Sequence, residues 1–387
     1  MEQKRIYLDH AATSFPKPAE TGAEMLRYLT EVGSNVGRGG YASAYEAEET
    51  LYSLREEVTA LFGGTDARNT VFTAGITAAL NQLLKGLLRP GDHVLVSSME
   101  HNAVMRPLRQ LAESGVTFDR IPSDPAGNLL MDRVEALIRP NTRVIVCTHA
   151  SNVCGTVQPI ERLGEVCDRR GLLLIVDSAQ TAGLFPLHME RMHIAALAFT
   201  GHKTLLGPQG TGGFLIRADL ASQMEPLIAG GTGSASHLET MPDFMPDRFE
   251  AGTLNLPGLY GLSGALGYLR SHDKAKLLDD ELRLTGRFLN GLREIPRLRL
   301  IGRDDLQDRA PVVSVTLRGG GNAEAAALLD RDYGIQTRVG LHCAPAAHRA
   351  LGTFPEGTLR FSFGHRNTEQ EVDTCLQALR EICARLP

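Results

Sequence analysis

Asp177 closes the apolar run Leu172-Leu-Leu-Ile-Val176, so a carboxylate stands at the carboxyl end of a strand, where open α/β sheets hold their ligands. Lys203 ends the next such run, in Phe199-Thr-Gly-His-Lys203. If the two strands are neighbours, an amine meets that carboxylate. Taken singly, an N-cap aspartate and a solvated strand-end lysine satisfy the same pattern. Together they supply what pyridoxal phosphate (PLP) needs: a lysine to hold the aldehyde as a Schiff base, and an aspartate to keep the ring nitrogen protonated so that the ring takes up electrons.

A phosphate cradle should then exist. Thr73-Ala-Gly-Ile-Thr77 follows the strand-like 69–72 and opens a helix, offering free N–H groups, hydroxyls and the positive end of a helix dipole. A plain helix cap reads the same way. The elements around these residues are legible from periodicity. Apolar runs at 93–98, 143–148, 172–176 and 195–199 read as strands buried on both faces. Between them, Leu80, Leu83, Leu84, Leu87 and Leu88, and then Val104, Leu108 and Leu111, keep helical spacing. Such alternation implies a mostly parallel sheet wrapped by helices.

Upstream, Ala44, Ala47, Leu51, Leu54, Val58 and Leu61 mark one long helix behind a Gly-rich turn at 33–40. Downstream of about Asn255 the strands become separated and alternating, as in 312–317, and Thr368 with Glu371 forms a capping box for the last helix. A smaller α+β domain is expected there.

The 387 residues carry 40 Lys and Arg against 45 Asp and Glu, a net charge of −5, with no basic block to hold a phosphate backbone. Nucleic acid is therefore not an expected partner. The apolar runs fall far short of the roughly 18 residues that span a bilayer, and residues 1–10 lack a secretory h-region, which points to the cytoplasm. The 6 Cys show no C-x-x-C pair, so reduced thiols and no structural metal are expected; His342, Cys343 and His348 lack further ligands at a recognised spacing.

Taken in order, the motifs resemble those of the class V aminotransferase group of fold-type I PLP enzymes, and within it cysteine desulfurases with a short cysteine loop. The resemblance runs end to end: Tyr7-Leu-Asp-His-Ala-Ala12, Thr73 to Thr77, Ser98-Met-Glu-His-Asn102, His149-Ala-Ser-Asn-Val-Cys-Gly-Thr156, Val176-Asp-Ser-Ala-Gln180, Thr200-Gly-His-Lys203 and Arg248-Phe-Glu-Ala-Gly-Thr253. It implies a large domain, 16–255, built on a mostly parallel seven-stranded sheet, an arm, 1–15, that joins the small domain, and the small domain itself, 256–387.

The resemblance further implies Lys203 as the Schiff-base lysine, Asp177 as partner of the pyridine nitrogen, Gln180 near the phenolic oxygen and His101 as a catalytic residue that stacks on the ring and handles protons. Gly75, Ile76, Thr77, Thr200 and His202 would contact the phosphate, with Thr253 reaching it from the second subunit of a homodimer whose active sites are shared. Asn152 would contact cofactor or substrate, and Arg360 would clamp the substrate carboxylate bidentately. Ile76 stands where relatives commonly have a second Thr, and Thr200 where Ser is common. Arg38 falls in a segment similar to the family's substrate-entrance loop.

Cys343, in Arg338-Val-Gly-Leu-His-Cys-Ala-Pro345, matches the loop that carries the desulfurase nucleophile, and Arg338 and His342 beside it are expected to favour the thiolate. The implied reaction converts L-cysteine to L-alanine and leaves a persulfide on Cys343, to be cleared by a sulfur-acceptor protein. L-selenocysteine is an alternative substrate. A transaminase would keep Lys203, Asp177 and Arg360 and have no use for Cys343.

Overall fold

The computed structural model describes residues 5–37 and 39–386; Arg38 lies outside the described residues. Its centre is a seven-stranded sheet in the order Thr70–Thr73, Gly212–Ile216, Ala196–Thr200, Leu173–Asp177, Thr142–Thr148, His93–Ser97, Thr117–Ile121. Six strands run in one direction, and only Gly212–Ile216 is antiparallel to both neighbours. The expected sheet is present, and the five strands read from the sequence lie within a residue or two of their runs, while Thr117–Ile121 and Gly212–Ile216 carried no such run.

Successive side chains of a strand point to opposite faces, which explains why these runs are continuously apolar. Leu95, Ile145, Cys147, Leu174 and Val176 enter one core, while Val94, Val96, Val144, Val146 and Ile175 enter the other. The helix Ile76–Leu87 covers the second face with Leu80, Leu83, Leu84 and Leu87, all fully buried. The helix Ala42–Leu61 covers the first with Leu51, Leu54 and Val58.

The second sheet is antiparallel, in the order Arg338–Gly340, Thr358–Ser362, Val312–Leu317, Leu298–Ile301. Behind it lie the helices Lys274–Leu292 and Glu369–Arg385, the latter opened by the Thr368/Glu371 capping box. Ile6–Tyr7 pairs in parallel with Ile335–Gln336, and Leu8 is buried in this second core. The chain then crosses to the large sheet, where the Ser14 N–H donates to the His202 carbonyl at 3.0 Å. The helix Leu256–Ser271 contributes Leu256, Leu259, Leu262, Leu266 and Leu269 to the large sheet's core, whereas beyond that helix the chain next enters the second core at Leu284. Among the described residues no helix is long and apolar enough to cross a membrane.

Candidate active site

Asp177 ends its strand and pairs in register with Ala198 of the parallel neighbour, so the turn after Thr200 returns Lys203 over the same sheet edge. Asp177 is 2% exposed and accepts the Ala179 N–H at 2.9 Å. Burial raises its pKa, and the charge of Lys203 opposes that rise. Burial lowers Lys203 to about 8, with Asp177 pulling the other way. The juxtaposition inferred from the two strand ends is therefore present, and it leaves an amine that holds its proton less tightly than a free lysine.

The neighbouring strand ends supply the rest. His101 caps the helix Asn102–Glu113, its Nδ1 accepting the Ala103 N–H at 2.9 Å, which leaves the ring proton on Nε2. Burial, then Lys203, Arg106 and Arg360, holds its pKa down to about 4, so the ring is neutral. His149 is likewise buried, lowered to about 4, and bonded through Nδ1 to Thr181 Oγ1 at 2.9 Å. Gln180 donates to the Ala11 carbonyl at 3.1 Å, tying the site to the N-terminal arm.

The phosphate turn is assembled by strand register. Thr73 and Thr200 both pair with Gly212, one on each side of the reversed strand. A Cβ on Gly212 would stand 2.7 Å from the Gly75 Cα and from the Phe199 carbonyl oxygen, so only glycine admits this approach. Gly75 itself has φ of 143°, a conformation L side chains rarely adopt. The Ile76 and Thr77 N–H groups, first in their helix, have no acceptor in the described protein, and Thr77 is exposed. His202 is half-buried and held down to about 4 by burial, Lys203 and Lys17; its ring Nδ1 is buried without a partner. Thr253 is exposed and lines, with Thr73, Ala74 and Ala78, an open cavity of about 410 Å³.

Arg360 is 2% exposed. One arm donates to the Asn152 carbonyl at 2.9 Å, the other to Asp9 Oδ1 at 2.7 Å, and Nε is buried with no partner. Asn152 spends its side-chain amide on the His342 carbonyl, at 2.7 Å, so it anchors the cysteine loop.

Cys343 is exposed and free. Its loop holds φ of 45° at His342 and 56° at Cys343, and the Cys343 carbonyl accepts the Asn102 N–H at 2.7 Å. Arg338, in the strand Arg338–Gly340 that leads into this loop, reaches Asp9 at 3.4 Å. The expectation that His342 favours the thiolate is corrected: burial and the nearby Arg360 push its pKa down to about 2, so the ring carries no charge. Its Nε2 bonds Thr358 Oγ1 at 2.9 Å, which donates to Ser314, so the ring is a structural peg.

Sequence reasoning missed two residues. Asp9 orients Arg360, and its signal was its place as the acid of the opening motif. Glu100 is fully buried, accepts the Ser97 hydroxyl and the Thr148 N–H, and is raised to about 8 by burial with Asp177 adding to the rise. A protonated Glu100 adds no second negative charge beside the Asp177 carboxylate. Its only signal was its position next to His101.

Comparison with known proteins gives the class first. The Aminotransferase class-V family profile matches residues 6–375, and the chain belongs to that family. A probable cysteine desulfurase of Methanothermobacter thermautotrophicus is 32% identical over 382 residues, covering 97% of this chain and 94% of its own. The apo cysteine desulfurase of Thermococcus onnurineus NA1 superposes with a TM-score of 0.91 at 31% identity, over 99% of this chain and 95% of that one. The cysteine desulfurase CsdA of Escherichia coli follows at 0.89 and 29%, over 99% and 96%. Within its family the chain is a cysteine desulfurase-like enzyme.

Proposed function

We propose that the chain is a PLP-dependent desulfurase that takes sulfur from L-cysteine onto Cys343 and releases L-alanine. The observation that carries this reading is an exposed, unpaired cysteine held on an anchored loop beside a buried Lys203–Asp177 couple. The residues present fit the cofactor. Lys203 would hold its aldehyde, Asp177 its ring nitrogen, Gln180 its phenolic oxygen and His101 its ring face. The free N–H groups of Ile76 and Thr77, with Gly75, Thr200 and His202, would take the phosphate, and Thr253 would approach from a second copy in a homodimer. Bound there, PLP would supply an electron sink for the substrate α carbon.

The chain's own groups then divide the work. Arg360, kept in place by Asp9 and the Asn152 carbonyl, offers its unpartnered Nε to the substrate carboxylate. Lys203, easily deprotonated, moves the Cα proton. The Cys343 thiolate forms a bond to the substrate sulfur as the carbon–sulfur bond breaks; that electron pair stays with the carbon fragment, which gains a proton and leaves as alanine. A transaminase would use the same Lys203, Asp177 and Arg360, so Cys343 is the residue that separates the two reactions.

We assign the arm, the large sheet and the small sheet to a two-domain cytoplasmic enzyme, with the domain junction after Ser271, because the helix Leu256–Ser271 is buried in the large sheet's core. Mass spectrometry of the holoenzyme after incubation with L-cysteine tests the reading. One added sulfur on the peptide containing Cys343 is expected; sulfur on another cysteine only, or on none while alanine is released, would overturn it.

A further inference from the structure

Cys343 is bracketed by two helices whose exposed faces carry unpaired arginines. The Asn102 N–H holds the Cys343 carbonyl, and along the same helix Arg106 and Arg109 follow Asn102 at i+4 and i+7, on one stripe, about 6 and 10 Å further along the axis. On the other side, the helix Pro345–Ala350 begins two residues after Cys343 and carries Arg349. Arg120, on the edge strand Thr117–Ile121, completes the group: its pKa is lowered by partial burial and by the charges of Arg109 and Arg349, so these three guanidinium groups lie within electrostatic reach of one another.

All four arginines are exposed. None of their guanidinium groups has a carboxylate within 4 Å or a hydrogen bond to the described protein, whereas Arg68, Arg139, Arg217, Arg283 and Arg287 elsewhere on the surface are each ion-paired. They rest instead on aromatic rings: Arg109 and Arg120 lie 5.0 and 5.5 Å from the Phe118 centroid, and Arg349 lies 4.1 Å from that of Phe354, which is 41% exposed. Rings hold the guanidinium planes in place without neutralising them. A chain of net charge −5 thus gathers unneutralised positive charge on the elements that flank the Cys343 loop. Like charges so placed repel one another and are relieved by an anionic partner; guanidinium, weakly hydrated and planar, suits a protein interface.

We propose that Arg106, Arg109, Arg120 and Arg349, with Phe354, form the docking face for a thiol-bearing protein whose contact surface is acidic, and that docking there brings its thiol to Cys343. The nature of the cargo rests on the desulfurase reading; the docking face does not. In the transfer, the partner's thiolate bonds to the outer sulfur of the Cys343 persulfide as the bond between that sulfur and Cys343 breaks. The electron pair leaves with the Cys343 thiolate, so no external oxidant or reductant is required.

The test uses holoenzyme and fluorescent peptides of one cysteine joined to a run of aspartates, serines or lysines. Anisotropy reads binding, and alanine release reads sulfur clearance with each peptide or with dithiothreitol. The aspartate peptide should bind and accelerate turnover best at low salt. Arg109→Glu, Arg120→Glu and Arg349→Glu together should weaken its binding by about tenfold or more, with dithiothreitol-supported turnover unchanged. Arg349→Gln alone, which disturbs no buried contact, should give a smaller loss in the same direction. Equal binding of aspartate and lysine peptides, unchanged binding in both variants, or displacement by inorganic phosphate as effective as by unlabelled peptide would overturn the proposal. Arginine-dependent binding without any dithiothreitol-supported turnover in wild type would keep the docking face and sink the desulfurase reading instead.

Discussion

The floor beneath Lys203 and the loop around Cys343 are built in opposite ways. Asp177, Glu100, His149 and Gln180 are buried at strand ends, and each spends hydrogen bonds on its neighbours. Cys343 stands exposed on a backbone with φ of 56°, held by bonds to its main chain and its neighbours while its thiol is left open. A group that tunes a proton or a ring nitrogen works best where water is excluded and geometry is fixed. A group that receives an atom and passes it on must reach solvent. The contrast separates one enzyme into a rigid chemical floor and a tethered delivery arm.

Breaking the floor should have the largest effect. Lys203→Ala is expected to abolish turnover and the visible absorbance of bound cofactor together. Asp177→Asn should keep much of the cofactor and lose about 10²- to 10⁴-fold in kcat, the scale of a misplaced catalytic proton. Absorbance spectra and alanine assays on the same preparations check both; full activity in Asp177→Asn would remove the aspartate from the chemistry.

A smaller loss is expected where the two regions meet. Asp9→Asn removes the charge that steadies Arg360, and the cost should fall on KM, by about tenfold for one charge-assisted hydrogen bond of 1.5 to 3 kcal/mol weakened in part. Arg360→Lys should raise KM further, because an ammonium lacks the guanidinium fork that keeps Asp9 and the Asn152 carbonyl while leaving Nε for the substrate carboxylate. Steady-state kinetics decides it: a change in kcat alone would make Arg360 part of the proton chemistry.

The pH response of stability sharpens the same comparison, since buried histidines stand in both regions, His149 in the floor and His342 in the cysteine loop. His10, His101, His149, His202, His342, His348 and His365 all have folded pKa values lowered by burial, to about 4 for most, about 3 for His10 and about 2 for His342. Between about 6.5 and 4 the unfolded chain binds more protons than the folded one at these sites, so stability falls as pH falls through that window. Glu100 and Glu281, raised to about 8 by burial, act in the other sense: their contribution is complete below about 4.5 and is lost as pH rises to about 8. Thermal melts of the apo protein should therefore show a maximum near pH 6.5, a steep fall on the acid side and a gentle one toward pH 8. A stability that rises on acidification from 6.5 to 5 would contradict this account of the buried histidines.

The smallest effect concerns the turn alone. Gly75→Ala forces a Cβ onto φ of 143° and should destabilise by about 1 to 3 kcal/mol, read as a lower urea midpoint.

Much of the floor was legible in the sequence because periodicity reports burial. Continuous apolar runs identified the parallel strands, and a carboxylate and an amine at two run ends proved to be neighbours. The motif order identified the family. What escaped detection depends on contacts between distant segments. The clasp of Asp9 on Arg360 spans most of the chain, and no local pattern reveals it. Asn152 reads as a ligand in its motif, but its amide is taken by a loop carbonyl. His342 beside Cys343 suggests a cation, and only its burial against Thr358 shows a neutral peg. The helix Leu256–Ser271 follows the expected junction in sequence, and its side chains show that it serves the large sheet.

The division into floor and delivery arm is tested most directly by alanine release from L-cysteine, with a reducing thiol present, by wild type and Cys343→Ala side by side, each loaded with cofactor to the same absorbance. The account predicts that wild type turns over and that the variant keeps its spectrum while losing alanine release. Equal turnover by both would contradict it, showing that Cys343 is not where the sulfur goes.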